Sequence, residues 1–182
     1  DMPQRLLIHP HLTYWEYSDN TQFVKLGDYP VMLAPITGTD GKTASIHRTY
    51  LTHEGVKASV PAPKKMTPPA KQGGTNGGAI QLYDAGETLA ITEGIETALA
   101  VRIATGHPVW ATVTAGGMKR LQIPPGVKQL LIYADNDENG TGQVAANQLA
   151  ERLRAMGVSA SIYLPPVRGD WLDVLNQEGV AA

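Results

Sequence analysis

Three acids in four positions, Asp135, Asp137 and Glu138, stand at the end of an apolar run in LLIYADNDENG (130–140). Two further acidic points, TEGIET with Glu93 and Glu96 and GDWLD with Asp170 and Asp173, lie elsewhere in the chain. Carboxylates gathered in one place repel each other and have raised pKa values unless a positive charge compensates. No lysine or arginine adjoins Glu93 or the 135–138 cluster in sequence. A hard divalent cation meets that need, and magnesium favours a few carboxylates plus waters and phosphate oxygens. The bland alternative stays open on spacing alone: Asx turns and a helix cap at 135–137, and acids at a helix N-terminus at 93–96. A calcium loop of EF-hand type is excluded. Its twelfth position needs a bidentate glutamate and holds Ala146, and a strand-like run rather than a helix leads into it.

The elements around these acids must bring them together. TLAIT (88–92), PVWATV, VKQLLIYA and VSASIYLP read as four strands. Residues 94–106 read as a helix with Ile95, Leu99 and Ile103 in one row and Gly106 as its stop. GQVAANQLAERLRAMG reads as an amphipathic helix burying Ala145, Leu149, Leu153 and Met156, and DWLDVLNQ as a short final one. Strands alternating with helices imply a mainly parallel sheet flanked by helices, with function at the carboxyl ends of its strands. Glu93 and Asp135 follow two such strands. Asp170 and Asp173 follow the fourth after a short loop.

The first half has a different rhythm. YPVMLAPIT and ASIHRTYLT flank GTDGK, whose Asp40-Gly41 signals a hairpin. GKT is no P-loop, because Ile36 stands where the first glycine is required. The Pro- and Gly-rich run 61–78 reads as a mobile connection. Lys64, Lys65 and Lys71 in it are then expected to be replaceable at little cost in stability. TAGGMKR (114–120) reads as a turn that places Lys119 and Arg120 near a nucleotide phosphate, or as a plain turn.

Composition bounds the rest. The 182 residues are 42% hydrophobic and 18% charged, with no cysteine, so disulfides and thiolate zinc sites are absent. No apolar run approaches the ~20 residues of a membrane span, which suits the cytosol and a chain with no membrane partner. The chain begins at Asp1 without methionine, which reads as a piece of a larger protein. Residues 1–85 carry eight basic against seven acidic side chains and 86–182 seven against ten, while 42–71 holds six basic residues against Glu54 alone. Such a local positive field attracts phosphate.

ITEGIETALA, YADNDENGTGQVAANQLAERL and GDWLDVL together resemble the Toprim domain shared by bacterial primases, topoisomerases and some nucleases and recombination proteins. The form is close to that of plasmid- and phage-type DNA primases. The resemblance implies a division into a small antiparallel β-rich α+β subdomain, 1–85, and a Toprim catalytic domain, 86–182. It carries the family glutamate onto Glu93, the D-x-D pair onto Asp135 and Asp137, and the third acidic motif onto Asp170 and Asp173. By it these five residues hold Mg2+ or Mn2+, and Glu93, Asp135 and Asp137 are catalytic. Asn136 stands where cellular primases have glycine. VMLAPITGTDGKTASIHRTYL and PKKMTPPAKQGG are similar to the subdomain that precedes Toprim in primases, which implies nucleic-acid binding by Arg48, Lys64, Lys65 and Lys71.

The expected function is therefore primer synthesis from ribonucleoside triphosphates on single-stranded DNA, with a helicase domain or partner for unwinding. A Toprim nuclease and a non-catalytic Toprim binding module are the alternatives. The first would use the same acids on water. The second is expected to have lost acids that this chain keeps.

Overall fold

The computed structural model describes residues 3–17, 22–136, 138 and 140–180, with 178–180 as backbone only. Its strands form two sheets, the second flanked by helices.

The first sheet holds β1 (Leu7–Tyr17), β2 (Phe23–Thr37), β3 (Thr43–Tyr50) and β4 (Lys64–Met66), antiparallel in the order β1-β2-β3-β4. The first half is β-rich as expected, and among its described residues every regular element is a strand. The Asp40-Gly41 turn forms between β2 and β3. Asp40 Oδ1 accepts from the Lys42 amide at 3.1 Å, and Gly38 N–H donates to the Lys42 carbonyl at 2.9 Å.

Strand β1 gave no clear sequence signal, because Pro10 and two histidines interrupt its pattern. Its pairing with β2 shifts register between His9 and Leu12 and again between Tyr14 and Trp15. Such bulges bend a strand and increase its twist. The far end of the hairpin accordingly meets the segment around β4. Tyr14 is fully buried with Val31, Tyr50 and Ala58, and its ring meets that of Tyr50 edge-on at 4.8 Å. Its hydroxyl donates to Glu16 at 2.7 Å and accepts from the Ala62 amide at 3.0 Å.

Residues 61–78 are not the solvated connection that their composition suggests. Strand β4 pairs Lys64 with Thr49 and Lys65 with Arg48, and the Thr67 and Ala70 amides bond back to Ile46 and Ala44. Lys65 lies 3.9 Å above the Tyr14 ring and donates to the Trp15 carbonyl at 2.7 Å and to Glu16 at 3.1 Å. Burial by itself would depress the Lys65 ammonium, but Tyr14 and Glu16 outweigh it and hold its pKa above the ordinary lysine value. Lys65 is thus part of the packing, contrary to the expectation that it is freely replaceable.

The second sheet has the order β5-β7-β6-β8-β9, from β5 (Ile80–Gln81), β6 (Thr88–Thr92), β7 (Val109–Ala111), β8 (Gln129–Tyr133) and β9 (Ser159–Tyr163). Strands β6 to β9 are parallel and β5 is antiparallel. Helices α2 (Ala115–Arg120) and α3 (Thr141–Ala155) cover one face through Met118, Leu121, Leu149 and Leu153. Helix α1 (Ile95–Thr105) and Trp171 of α4 (Trp171–Val180) pack on the other. Ala34 and Ile36 of β2 enter that same core. An antiparallel bridge, Thr37 to Ala79, stitches the sheets with bonds of 2.9 and 3.1 Å.

Two expected core residues are outside. Ile103 is 72% exposed, because α1 turns its Ile95, Ala98 and Val101 row inward and its small residues allow close approach. Met156 is 66% exposed because it lies past the end of α3, whose Ala145, Leu149 and Leu153 are buried as expected. Among the described residues no helix is long and apolar enough to cross a membrane.

Candidate functional site

Parallel pairing of β6 with β8 sets Thr92 beside Tyr133. The next residues, Glu93 and then Asp135 after Ala134, therefore leave the sheet at the same carboxyl edge. Buried Thr92 and Thr112 fix that exit: Thr92 Oγ1 donates to the Gly94 carbonyl at 2.8 Å, and Thr112 Oγ1 donates to the Thr92 carbonyl at 3.0 Å. Val113, whose amide bonds the Glu93 carbonyl at 2.9 Å, sits at φ 70°. That conformation is costly for a β-branched residue. No sequence signal marked Val113 as part of this edge.

Asp170 reaches the edge through a second device. Asn136 and Gly169 form an antiparallel bridge, and the Asn136 side-chain amide donates to the Pro165 and Val167 carbonyls at 3.3 Å. Gln143 of α3 donates in turn to Asn136 Oδ1 at 3.3 Å. Asn136 thus ties the loop after β9 to the loop after β8, a reason for a side chain at this position. Gly169, at φ 132°, fits because a Cβ there would meet Asp173 Oδ2 at 2.5 Å. Asp170 Oδ1 accepts from the Leu172 and Asp173 amides at 2.8 and 3.0 Å and so caps α4. Asp173 Oδ2 accepts from the Asp170 amide at 3.2 Å. Asp137 lies outside the described residues.

The structure therefore puts Glu93 and Asp135 at one carboxyl edge of the sheet. The Asn136–Gly169 bridge ties the loop that carries Asp170 beside Asp135, with Asp173 turned back onto the 169–170 backbone. The donor set is all carboxylate oxygen. Among the described residues no lysine or arginine pairs with Asp170 or Asp173, and Arg168 pairs instead with exposed Glu138 at 3.0 Å. Asp170 keeps its second oxygen outside the capping bonds. Hard carboxylate oxygen donors of this kind fit magnesium or manganese. Among the described residues, which omit Asp137, no group of three acidic, histidine or cysteine side chains stands at metal-binding spacing.

The 114–120 stretch is a short helix rather than a turn. Thr114 caps it, its hydroxyl accepting from the Gly117 amide at 2.9 Å. The threonine was the available signal, masked by two glycines of low helix propensity. Lys119 and Arg120 fall in its last turn and are exposed, with the Arg120 guanidinium folded back beside Gly116.

The basic residues of the first half are mostly engaged. Lys71 pairs with Asp40 at 2.8 Å, and Lys65 with Glu16. Lys57 and Lys64 both pair with Glu96, at 3.1 and 2.9 Å, which links the first sheet to the first turn of α1. Arg48 has no ion pair among the described residues, and its Nε is buried without a hydrogen bond. Sequence reading missed the Glu96 junction, since its partners lie more than thirty residues away.

Burial alone would raise the Glu96 carboxyl, but bonds from Lys64, its own backbone amide and Lys57 overcome it and hold the pKa at about 2, against 4.5 ordinarily. A lowered carboxyl contributes its stability in full above about pH 4.5 and loses it as pH falls toward 2. Glu96→Gln should therefore cost on the order of 2 kcal/mol near pH 7 and almost nothing near pH 2. Denaturant unfolding of both proteins across this range reads the effect, and a gap that does not shrink with acid rules out the linkage.

The family described as the Toprim domain matches residues 88–181, more than half of the chain. A domain of unknown function (DUF7146) matches residues 1–77. Among solved structures, a DNA primase domain from Pseudomonas aeruginosa aligns with 92% of this chain at 18% identity and a TM-score of 0.58. The primase fragment of the bacteriophage T7 primase-helicase protein aligns with 92% at 16% identity and a TM-score of 0.56. The DnaG primase catalytic domain bound to single-stranded DNA aligns with 82% at 17% identity and a TM-score of 0.59. This chain spans 52%, 63% and 48% of those three chains. The likeness runs through both sheets and fixes the fold, a Toprim α/β sheet preceded by a small antiparallel β-rich subdomain. The chain belongs to the Toprim domain family.

Proposed function

We propose that this chain is the catalytic core of a DNA primase of the mobile-element type, joining ribonucleotides on single-stranded DNA. The observation that carries this reading is the combination of the two sheets. The Toprim edge alone would suit several nucleic-acid enzymes. Here it is joined to an antiparallel β-rich half, and alignments with primase cores run through both. The division at 85/86 belongs to the same reading, with β5 already lying in the second sheet.

In this reading Glu93, Asp135, Asp137 and Asp170 hold Mg2+ or Mn2+, with Asp173 beside them. When bound, the metal stabilises the negative charge that gathers on the phosphoryl oxygens. Glu93, at a strand end fixed by Thr92 and Thr112, accepts the proton of the attacking 3′-hydroxyl. Asn136, bridged to Gly169, keeps the two acidic loops in register. Arg48, Lys64, Lys65 and Lys71 serve the template, and Lys119 and Arg120 the nucleotide phosphates. The ion pairs of Lys64 and Lys71 then exchange a carboxylate for a phosphate. Base pairing selects the nucleotide. One of the similar structures is a fragment of a primase-helicase protein, which supports a helicase domain or partner for this chain too.

The test is incorporation of labelled ribonucleotide into short oligomers on single-stranded DNA, run beside a labelled strand watched for cutting. Metal-dependent oligomers are expected. Cutting without oligomers would assign the edge to a nuclease, and neither activity to a binding module. Metal also stabilises any state that binds it, so magnesium or manganese should raise the melting temperature of the wild type but not of the Asp135→Asn, Asp137→Asn double variant.

A further inference from the structure

We propose that the four-stranded sheet carries a nucleobase-stacking site, in which Trp15 and Phe23 take the bases of a single strand and Arg48 its phosphate. The proposal rests on the reading above that this chain handles single-stranded DNA, and adds to it a separate aromatic subsite.

An open cleft of about 580 Å³ is lined by Trp15, Phe23, Arg48, Tyr50 and Lys65. Trp15 is 49% and Phe23 61% exposed, and Phe23 packs on exposed Tyr17 at 4.2 Å between ring centroids. The three tryptophans look unrelated in sequence, and the fold separates their roles. Trp110 is buried and donates to the Tyr83 carbonyl, and Trp171 packs on Tyr133. Trp15 is left beside the basic strands.

Charge decides what fits. Lys57, Lys64, Lys65 and Lys71 are neutralised within the chain, whereas half-buried Arg48 has neither an ion pair nor a bond to its Nε among the described residues. A guanidinium held in that state beside open aromatic faces suits a ligand with both flat rings and anionic oxygens. Single-stranded nucleic acid has both, and aromatic platforms in a positive groove are its general mode of capture. Alternation along β3 and β4 puts Arg48 and Lys65 on one face of the sheet and Thr49 and Lys64 on the other. The stacking site is thus distinct from the Lys64–Glu96 junction.

The experiment compares binding of a short oligothymidylate with that of an abasic oligomer of equal length, across a range of salt. The wild type should prefer the strand with bases. Trp15→Ala should lose roughly 5- to 100-fold in affinity for it and keep its salt slope, and Trp15→Phe should recover most of the loss. Arg48→Ala should weaken both oligomers and reduce the salt slope by about 0.7. Unfolding temperatures of the Trp15 variants report whether the fold survives. Equal affinity for the two oligomers, with Trp15→Ala indifferent, overturns the stacking site and leaves the primase reading standing. Binding of neither oligomer overturns both. Self-association abolished by Trp15→Ala, without an effect on DNA, gives the face to a second copy of this chain instead.

Discussion

Glu93→Gln should lower ribonucleotide joining by roughly 10²- to 10⁴-fold, the usual contribution of a positioned proton acceptor or charge at a reacting centre. The substitution keeps the shape of the side chain and removes its charge and basicity. Its backbone is fixed independently, through Thr92, Thr112 and the Val113 amide, so the edge should hold its form. On the proposed reading the template lies on the first sheet, so affinity for single-stranded DNA should be unchanged. Steady-state incorporation measured beside equilibrium DNA binding separates the two effects. A variant that keeps full activity removes Glu93 from the chemistry, and one that loses DNA binding to the same extent assigns it to the template path.

Gly78→Ala should destabilise the protein by about 3 kcal/mol or more, because the added carbon has nowhere to go. A Cβ at this position would lie well under 3.0 Å from the Thr37 carbonyl oxygen and press on Gly38 as well, so that backbone would have to move. Those atoms belong to the bridge that stitches the two sheets. Gly106 supplies the contrast: it ends α1 at φ 72° with no atom near its would-be side chain. Gly106→Ala should therefore cost only about 1 kcal/mol, from the left-handed backbone alone. In a chain of this size the first change should lower the melting temperature by roughly 6–12 °C and the second by a third of that. Equal shifts would mean that the seam yields easily.

Most of the second sheet was legible because β6, β7 and β8 are apolar runs, β9 alternates, and α1 and α3 keep a helical period. Two-residue β5 and the glycine-bearing α2 left no such pattern. Parallel strands then follow from alternation, while the adjacency of β6 and β8, which puts Glu93 and Asp135 at one edge, came from the fold. The first sheet was only half legible. Asp40-Gly41 marks one hairpin, but Pro10 hides β1, and the prolines around Lys64 hide a three-residue strand that pairing with β3 creates. Ile103 was misjudged because spacing by four and spacing by three describe different faces, and the alanines in α1 gave no hydrophobic contrast to choose between them. The Glu96 junction, the Asn136 tie and the Trp15 cleft depend on contacts between distant segments, which no local pattern encodes.

Strands β1 and β4 are the two borders of the first sheet, and borders expose unpaired amides and carbonyls that invite strand addition by other chains. Exposed Leu7, Ile8, Val24 and Leu26 on the β1–β2 hairpin would make such addition adhesive. The bulged hairpin brings one border toward the other, and the Lys65 ammonium, seated on β4, occupies the Trp15 carbonyl of β1. A short lysine-bearing border facing a bent one is a poor template for fibril growth. Loss of the Lys65 side chain should therefore show first as aggregation during expression.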